Sequence, residues 1–117
     1  MAYESSTLRS FTGRVAVKQA YRVATLAGAE TLTLKSGQYQ QLDPGGAHRD
    51  VSLPAVTPQD AGYFFEIANS ANAAENLVVK DAAAATIGTI NQSEAGRFFV
   101  DDAGAWILFG VYTYAVS

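Results

Sequence analysis

The chain has 117 residues, 49% of them hydrophobic and 16% charged, with a formal net charge of −3 and no cysteine. That length suits one domain able to bury roughly two-thirds of its unfolded surface, and the hydrophobic share excludes disorder. It has no disulfide framework, thiolate metal site or cysteine nucleophile. No apolar run approaches the roughly 18 residues of a membrane helix, and no secretory signal core stands at the start. Charged residues fall well below the usual quarter or so, a deficit expected where other subunits cover part of the surface.

Residues 1–22 read as an extended basic arm leading into a first strand. They carry Arg9, Arg14, Lys18 and Arg22 against Glu4 alone, whereas residues 23–117 carry four basic groups against ten acids. A basic arm on an acidic body is built to grip an acidic partner. Four scattered charges without an aromatic stripe are thin for phosphate binding, so the expected partner is a protein surface and not nucleic acid. From Arg14 the chain alternates, with Val15, Val17, Tyr21 and Val23 on one face and charges on the other. Arg14, Lys18 and Arg22 are also four apart, the spacing of a helix face; the β-branched residues favour a strand.

Strands are then predicted at Thr31-Leu32-Thr33-Leu34, at Tyr39-Gln40-Gln41-Leu42 and at Asp50-Val51-Ser52-Leu53. Between the last two, Asp43-Pro44-Gly45-Gly46 is a turn whose glycines allow positive φ. Thr57 to Gly62 is a polar turn opening into Tyr63 to Asn69. A loop from Ser70 to Glu75 precedes a strand at Asn76 to Lys80, and Ala82 to Ala85, too short for a helix, is a loop before Thr86 to Ile90. Gly96 to Val100 and Trp106 to Phe109 flank the Asp101-Asp102-Ala103-Gly104 hairpin turn, and Val111 to Val116 ends the chain. About nine short strands with turns between them predict an all-β domain, residues 23–117, of β-sandwich or barrel type.

Asp60-Ala61-Gly62-Tyr63-Phe64-Phe65 is echoed by Glu94-Ala95-Gly96-Arg97-Phe98-Phe99. The echo suggests two equivalent strand–turn–strand units.

Little of the chain carries chemistry. His48 is the only histidine, which excludes histidine metal clusters, and a catalytic base would need it oriented by Asp50; a solvated loop histidine is the simpler reading. No nucleophile elbow or phosphate-cradling glycine loop is present. Asp101-Asp102 and the Asp43/Asp50 pair lack the regular spacing of a calcium loop. The phenylalanine pairs and Trp106 most simply fill a core. Tyr112 and Tyr114, two apart on one strand, share a face and are candidates for a subunit interface or a sugar-stacking platform. No catalytic, metal-binding or cofactor-binding residue is assigned, and no enzyme activity is expected.

Several pieces together resemble a family of tailed-bacteriophage virion proteins that includes small capsid decoration proteins. They are Leu42-Asp43-Pro44-Gly45-Gly46, Arg49 to Pro54, Gly62 to Asn69, Asn76 to Asp81, Thr86 to Ile90 and Gly96 to Trp106. The order Asp-x-x-Leu-Pro, Gly-x-x-Phe-x-Ile-x-Asn, Leu-x-Val-x-Asp, Ile-Gly, Phe-x-x-Asp-x-x-x-Trp spans Gln41 to Phe109 and does not separate head from tail modules. The resemblance implies a small, β-tulip-like domain with no active site. It would sit as a homotrimer on the major capsid protein, on the outer surface of the virion head, after synthesis in the host cytoplasm. The arm would make the capsid contact through Arg9, Arg14, Lys18 and Arg22. The alternative is a tail-fibre or tail-tip module binding host glycans through the tyrosine-rich end and loops 43–50 and 70–75.

Overall fold

The computed structural model describes residues 20–114 as a β-sandwich of two mixed sheets. Nine strands follow in order: β1 (Tyr21–Thr25), β2 (Glu30–Thr31), β3 (Tyr39–Asp43), β4 (Arg49–Ser52), β5 (Phe64–Asn69), β6 (Leu77–Lys80), β7 (Thr86–Ile90), β8 (Glu94–Val100) and β9 (Trp106–Thr113). The five-stranded sheet has the order β1-β3-β5-β8-β9, the four-stranded sheet the order β2-β4-β6-β7.

The first six strands alternate between the sheets. β1, β3 and β5 pair in parallel in one sheet, and β2, β4 and β6 in the other. Parallel neighbours need a crossover, and here each crossover contains a strand of the opposite sheet. The chain winds as a flattened coil, then reverses into two antiparallel hairpins, β6–β7 and β8–β9.

Period-2 alternation sets the faces. In β5, Phe65, Ile67 and Asn69 are buried while Phe64, Glu66 and Ala68 face outward, and β3 buries Gln40 and Leu42. Leu42, Val51, Phe65, Ile67, Leu77, Val79, Ile90, Phe98 and Val100 fill the space between the sheets, each fully buried side chain contributing about 1.5–3 kcal/mol. Trp106 closes one end, its indole N–H donating to the Pro54 carbonyl at 2.8 Å.

Two buried polar residues tie the core to its surroundings. The Asn69 amide donates to the carbonyls of Glu75 and Ile90 and its oxygen accepts from the Ala71 N–H. Gln40 donates to the Gly37 carbonyl and accepts from Arg22. Arg22 also pairs with Glu30 at 2.9 Å, so an ion pair from β1 to β2 spans one open side of the sandwich. On the other side Gly88 faces Leu108, whose methyl would lie 2.9 Å from any Cβ placed there.

Tyr21 and Arg22, the last residues of segment 1–22, belong to β1, as the strand read at the end of that segment expects; Arg9, Arg14 and Lys18 lie outside the described residues. The structure departs from the sequence expectations in three places. The Thr31-to-Leu34 strand shrinks to Glu30–Thr31, because Thr33 turns the chain: its N–H donates to Ser36 Oγ and the Ser36 N–H returns to its carbonyl. The phenylalanine pairs do not both fill the core. Phe65 and Phe98 are fully buried, while Phe64 and Phe99 sit on the outer face.

Third, the acid-Ala-Gly echo is not a structural repeat. Asp60-Ala61-Gly62 is a turn, with a capping box around a 3₁₀ turn at Pro58–Asp60 and Gly62 at φ +89°. Glu94-Ala95-Gly96 lies inside β8, and the aligned Phe65 and Phe99 point to opposite faces. The repeat that does exist joins the hairpin loops. Asp81 Oδ1 accepts from the Ala83 and Ala85 N–H groups, and Asp101 Oδ1 accepts from Ala103 and Ala105 in the same way. The residue before the last alanine has positive φ in both: Ala84 at +69° and Gly104 at +79°.

Candidate functional site

The outer face of the five-stranded sheet gathers the chain's exposed apolar side chains. Among the described residues seven large hydrophobic side chains are exposed, and five of them stand on this face: Tyr21, Val23, Ile107, Phe109 and Tyr112. Phe109 is the most exposed, at 74%. It is the extra residue of a bulge, since Phe98 pairs with Leu108 and Arg97 with Gly110. A bulge re-aims a side chain, and here it lifts the Phe109 ring against the edge of Phe99, with centroids 5.7 Å apart.

Strand register arranges the face in rows. Tyr21, Tyr39, Glu66, Arg97 and Gly110 stand side by side, as do Val23, Gln41, Ala68, Ala95 and Tyr112, and Phe64, Phe99 and Ile107. With strands about 4.8 Å apart the two five-residue rows run some 19 Å across the sheet.

Glu66 is the hub. One carboxylate oxygen accepts from Arg97 at 2.6 Å and the other from the Tyr112 hydroxyl. Arg97 in turn lies 4.8 Å above the Phe64 ring, a cation–π contact, and Tyr39 meets that ring edge-on. The hydrogen bond that Arg97 donates to Glu66 raises the Arg97 pKa above its already high ordinary value. The two charges cancel within the face.

The tyrosines are tethered by their hydroxyls. Tyr21 donates to Gln41 Oε1 and Tyr114 to the Asn69 carbonyl, both at 2.7 Å. Tyr112 stands on β9 and bonds to Glu66 on β5, so its ring crosses β8; Ala95, opposite Tyr112 on that strand, is buried to 4%. The result is a trough of about 210 Å³ with small residues, Ala68 and Ala95, in its lining and Tyr21, Tyr39, Tyr112 and Tyr114 around it. Burial, with a smaller contribution from Tyr21, pushes the Tyr114 hydroxyl pKa above the ordinary tyrosine value.

Tyr112 and Tyr114, read from the sequence as sharing a face, therefore do border one site. Arg22, read as a capsid-binding arm residue, is engaged by Glu30 and Gln40 within the sandwich. His48 Nδ1 accepts from the Asn76 N–H at 2.9 Å, while Asp50 pairs with Lys80 at 3.0 Å. The two residues a catalytic dyad would need are thus each bonded elsewhere. Asp101 and Asp81 use a carboxylate oxygen to hold their own hairpin loops, and no group of three metal-ligating side chains occurs among the described residues.

Sequence reasoning missed Tyr21, Tyr39, Phe64, Glu66, Arg97 and Phe109 as one surface. Its signal was present in Phe64-Phe65, Phe98-Phe99 and Ile107-Leu108-Phe109, which are apolar at both parities and so load both faces of their strands. Neither a protein-family model nor a curated protein matches the chain.

Proposed function

We propose that the chain is a structural virion subunit, a capsid decoration protein that binds the outer surface of a phage head and stabilises it. In this reading the outer face of the five-stranded sheet is a protein–protein interface of the assembly. The single observation that carries it is the concentration of exposed aromatic and aliphatic side chains on that face. Tyr, Phe and Arg are the residue types that anchor protein interfaces, and tethered tyrosines give up little conformational entropy when a partner covers them. The phage head, the major capsid protein as partner and the trimeric state come from the resemblance in the sequence. The mechanism is adhesion: identical modest contacts, repeated on a fixed array, become strong together.

Co-sedimentation of the purified chain with emptied heads of the phage that encodes it tests the reading. Expected is saturable binding at a fixed number of copies per head, lost on deletion of residues 2–14. A chain that stays in the supernatant at every concentration overturns it. The exposed rings of Tyr21 and Tyr112 favour a second reading, a tail module that stacks host glycans on them. Retention on a glycan array, lost in Tyr112→Ala, would select it.

A further inference from the structure

The outer face of the five-stranded sheet carries both a projection and a recess. Phe109, raised by its bulge, stands at the β9 edge near Phe99. The trough bordered by Tyr21, Tyr39, Tyr112 and Tyr114 lies toward the opposite ends of the strands, where Ala68 pairs with Ala95. We propose that Phe109 of one copy of this chain seats in the tyrosine trough of a second copy, and that this contact holds copies together. The proposal rests on the reading of this face as an assembly interface and names its occupant.

Three features select a second copy. The trough, at about 210 Å³, is smaller than the roughly 300–1,000 Å³ of pockets that engulf small molecules, and it suits one aromatic side chain. Its polar atoms are largely committed to one another, through Tyr21 to Gln41, Tyr112 and Arg97 to Glu66, and Tyr114 to Asn69. What remains to offer is ring surface, which favours an aromatic guest over a sugar needing several hydrogen bonds. Finally, residues 23–117 are acidic overall, yet the only ion pair of this face among the described residues, Glu66–Arg97, is neutral as a unit. Two acidic bodies repel least where each presents a neutral surface.

The projection and the recess are separate patches. Two copies turned about an axis lying in the interface plane, midway between the patches, make the contact twice; copies placed head-to-tail make it once each, and form a ring where the rotation between them closes. In either arrangement Phe109 leaves water.

Sedimentation equilibrium on the full chain tests the proposal. Expected for the unaltered protein is a mass two or three times that of the monomer. Phe109→Ser removes the projection and Ala68→Leu fills the recess. Each is expected to weaken association by roughly 10- to 150-fold per contact, the equivalent of one phenyl group returned to water. Both positions face outward, and circular dichroism confirms that each variant folds. A photo-crosslinking residue at position 109 is expected to label Tyr21, Tyr39, Tyr112 or Tyr114 of another copy, as mixed isotope-labelled chains reveal.

A monomer at high micromolar concentration, or association indifferent to both variants, overturns the proposal. Head binding separates this from failure of the assembly reading. A monomer that still co-sediments with heads loses the Phe109 contact alone; a chain that associates through Phe109 and ignores heads loses the virion role alone.

Discussion

The two sheets share one core but present different outer faces. On the four-stranded sheet, Thr31, Asp50, Ser52, Val78, Lys80 and Thr89 occupy the outward positions. The Lys80–Asp50 ion pair is its electrostatic feature, and it holds none of the seven exposed large hydrophobic side chains. On the five-stranded sheet the equivalent positions hold tyrosine, phenylalanine, isoleucine and valine around a compensated Glu66–Arg97 pair. Folding requires only that the inner faces be apolar. An outer face made of small polar residues is what folding alone leaves behind, so the aromatic face reports a demand other than stability.

The largest expected effect separates inside from outside on the aromatic sheet itself. Phe65→Ala empties a fully buried site between the sheets and is expected to cost about 3–5 kcal/mol, enough to unfold much of a domain of ordinary stability. Phe64→Ala, one residue away, removes a ring from the outer face and is expected to cost about 1 kcal/mol, mainly through its contacts with Tyr39 and Arg97. Urea denaturation followed by tryptophan fluorescence measures both. Equal losses would show that the outer aromatics serve the fold of the monomer.

Next in size is a contrast between the hairpins that close the two sheets. The loops share their Asp-anchored geometry, but Gly104 touches the 57–58 segment and Ala84 carries a side chain. A Cβ on Gly104 would lie 2.6 Å from Pro58 N and 2.7 Å from Thr57 C. Gly104→Ala therefore adds a backbone clash to positive-φ strain and is expected to destabilise by about 2 kcal/mol or more. Ala84→Gly relieves φ strain with nothing else disturbed and is expected to stabilise by about 0.5–1 kcal/mol. Thermal unfolding of the two variants gives opposite signs; a loss in both would mean that the loops are not equivalent.

A smaller effect compares the ion pairs. Asp50→Asn breaks one exposed pair and is expected to change stability by less than about 0.5 kcal/mol. Glu66→Gln disturbs Arg97 and Tyr112 together. Because Arg97 is 43% exposed, solvent screening limits the loss to about 1 kcal/mol. Its larger consequence would fall on the proposed interface, where freed Tyr112 and Arg97 would have to be reordered on binding a partner. High salt should move the Asp50 pair and leave the Glu66 hub less affected.

Much of the strand inventory was legible in the sequence, because alternation and turn chemistry are local. The strands read at Tyr39 to Leu42, Tyr63 to Asn69, Asn76 to Lys80 and Thr86 to Ile90 lie within one residue of those observed, and the Asp43-to-Gly46 turn forms as read, with Gly45 and Gly46 at φ of +75° and +104°. Strand partners were not legible: alternation assigns faces and says nothing of neighbours, so the parallel pairing of β1, β3 and β5 leaves no local trace. The acid-Ala-Gly echo misled because identical short sequences were read apart from their strand phase. Buried Asn69 and Gln40 were invisible for a related reason, since the loop carbonyls that satisfy them lie far along the chain or across a turn. At the site, Tyr112 and Tyr114 were read as sharing a face because they stand two apart; Tyr21, Glu66 and Arg97 join them only through register.

A pH series compares tyrosines that join distant segments. Burial pushes the Tyr63 and Tyr114 hydroxyls above the ordinary tyrosine value of 10.0. Both donate to backbone carbonyls, Tyr63 to Leu34 at 2.9 Å and Tyr114 to Asn69 at 2.7 Å. A raised folded-state value means that the native state holds its proton longer than the unfolded chain. The contribution is therefore complete below the unfolded value of 10.0 and declines as pH climbs from there through the folded value. Stability is expected to fall as pH rises above the unfolded value of 10.0, and to fall less in the Tyr63→Phe, Tyr114→Phe double variant, which has no such protons to lose. At about pH 8 the double variant should already be weaker by the two hydrogen bonds, about 1 kcal/mol each, so its unfolding midpoint starts lower and converges on that of the unaltered chain. Parallel midpoints across the range would show that these hydroxyls ionise alike in folded and unfolded chains, and that the Tyr114 tether exerts no hold on the aromatic face.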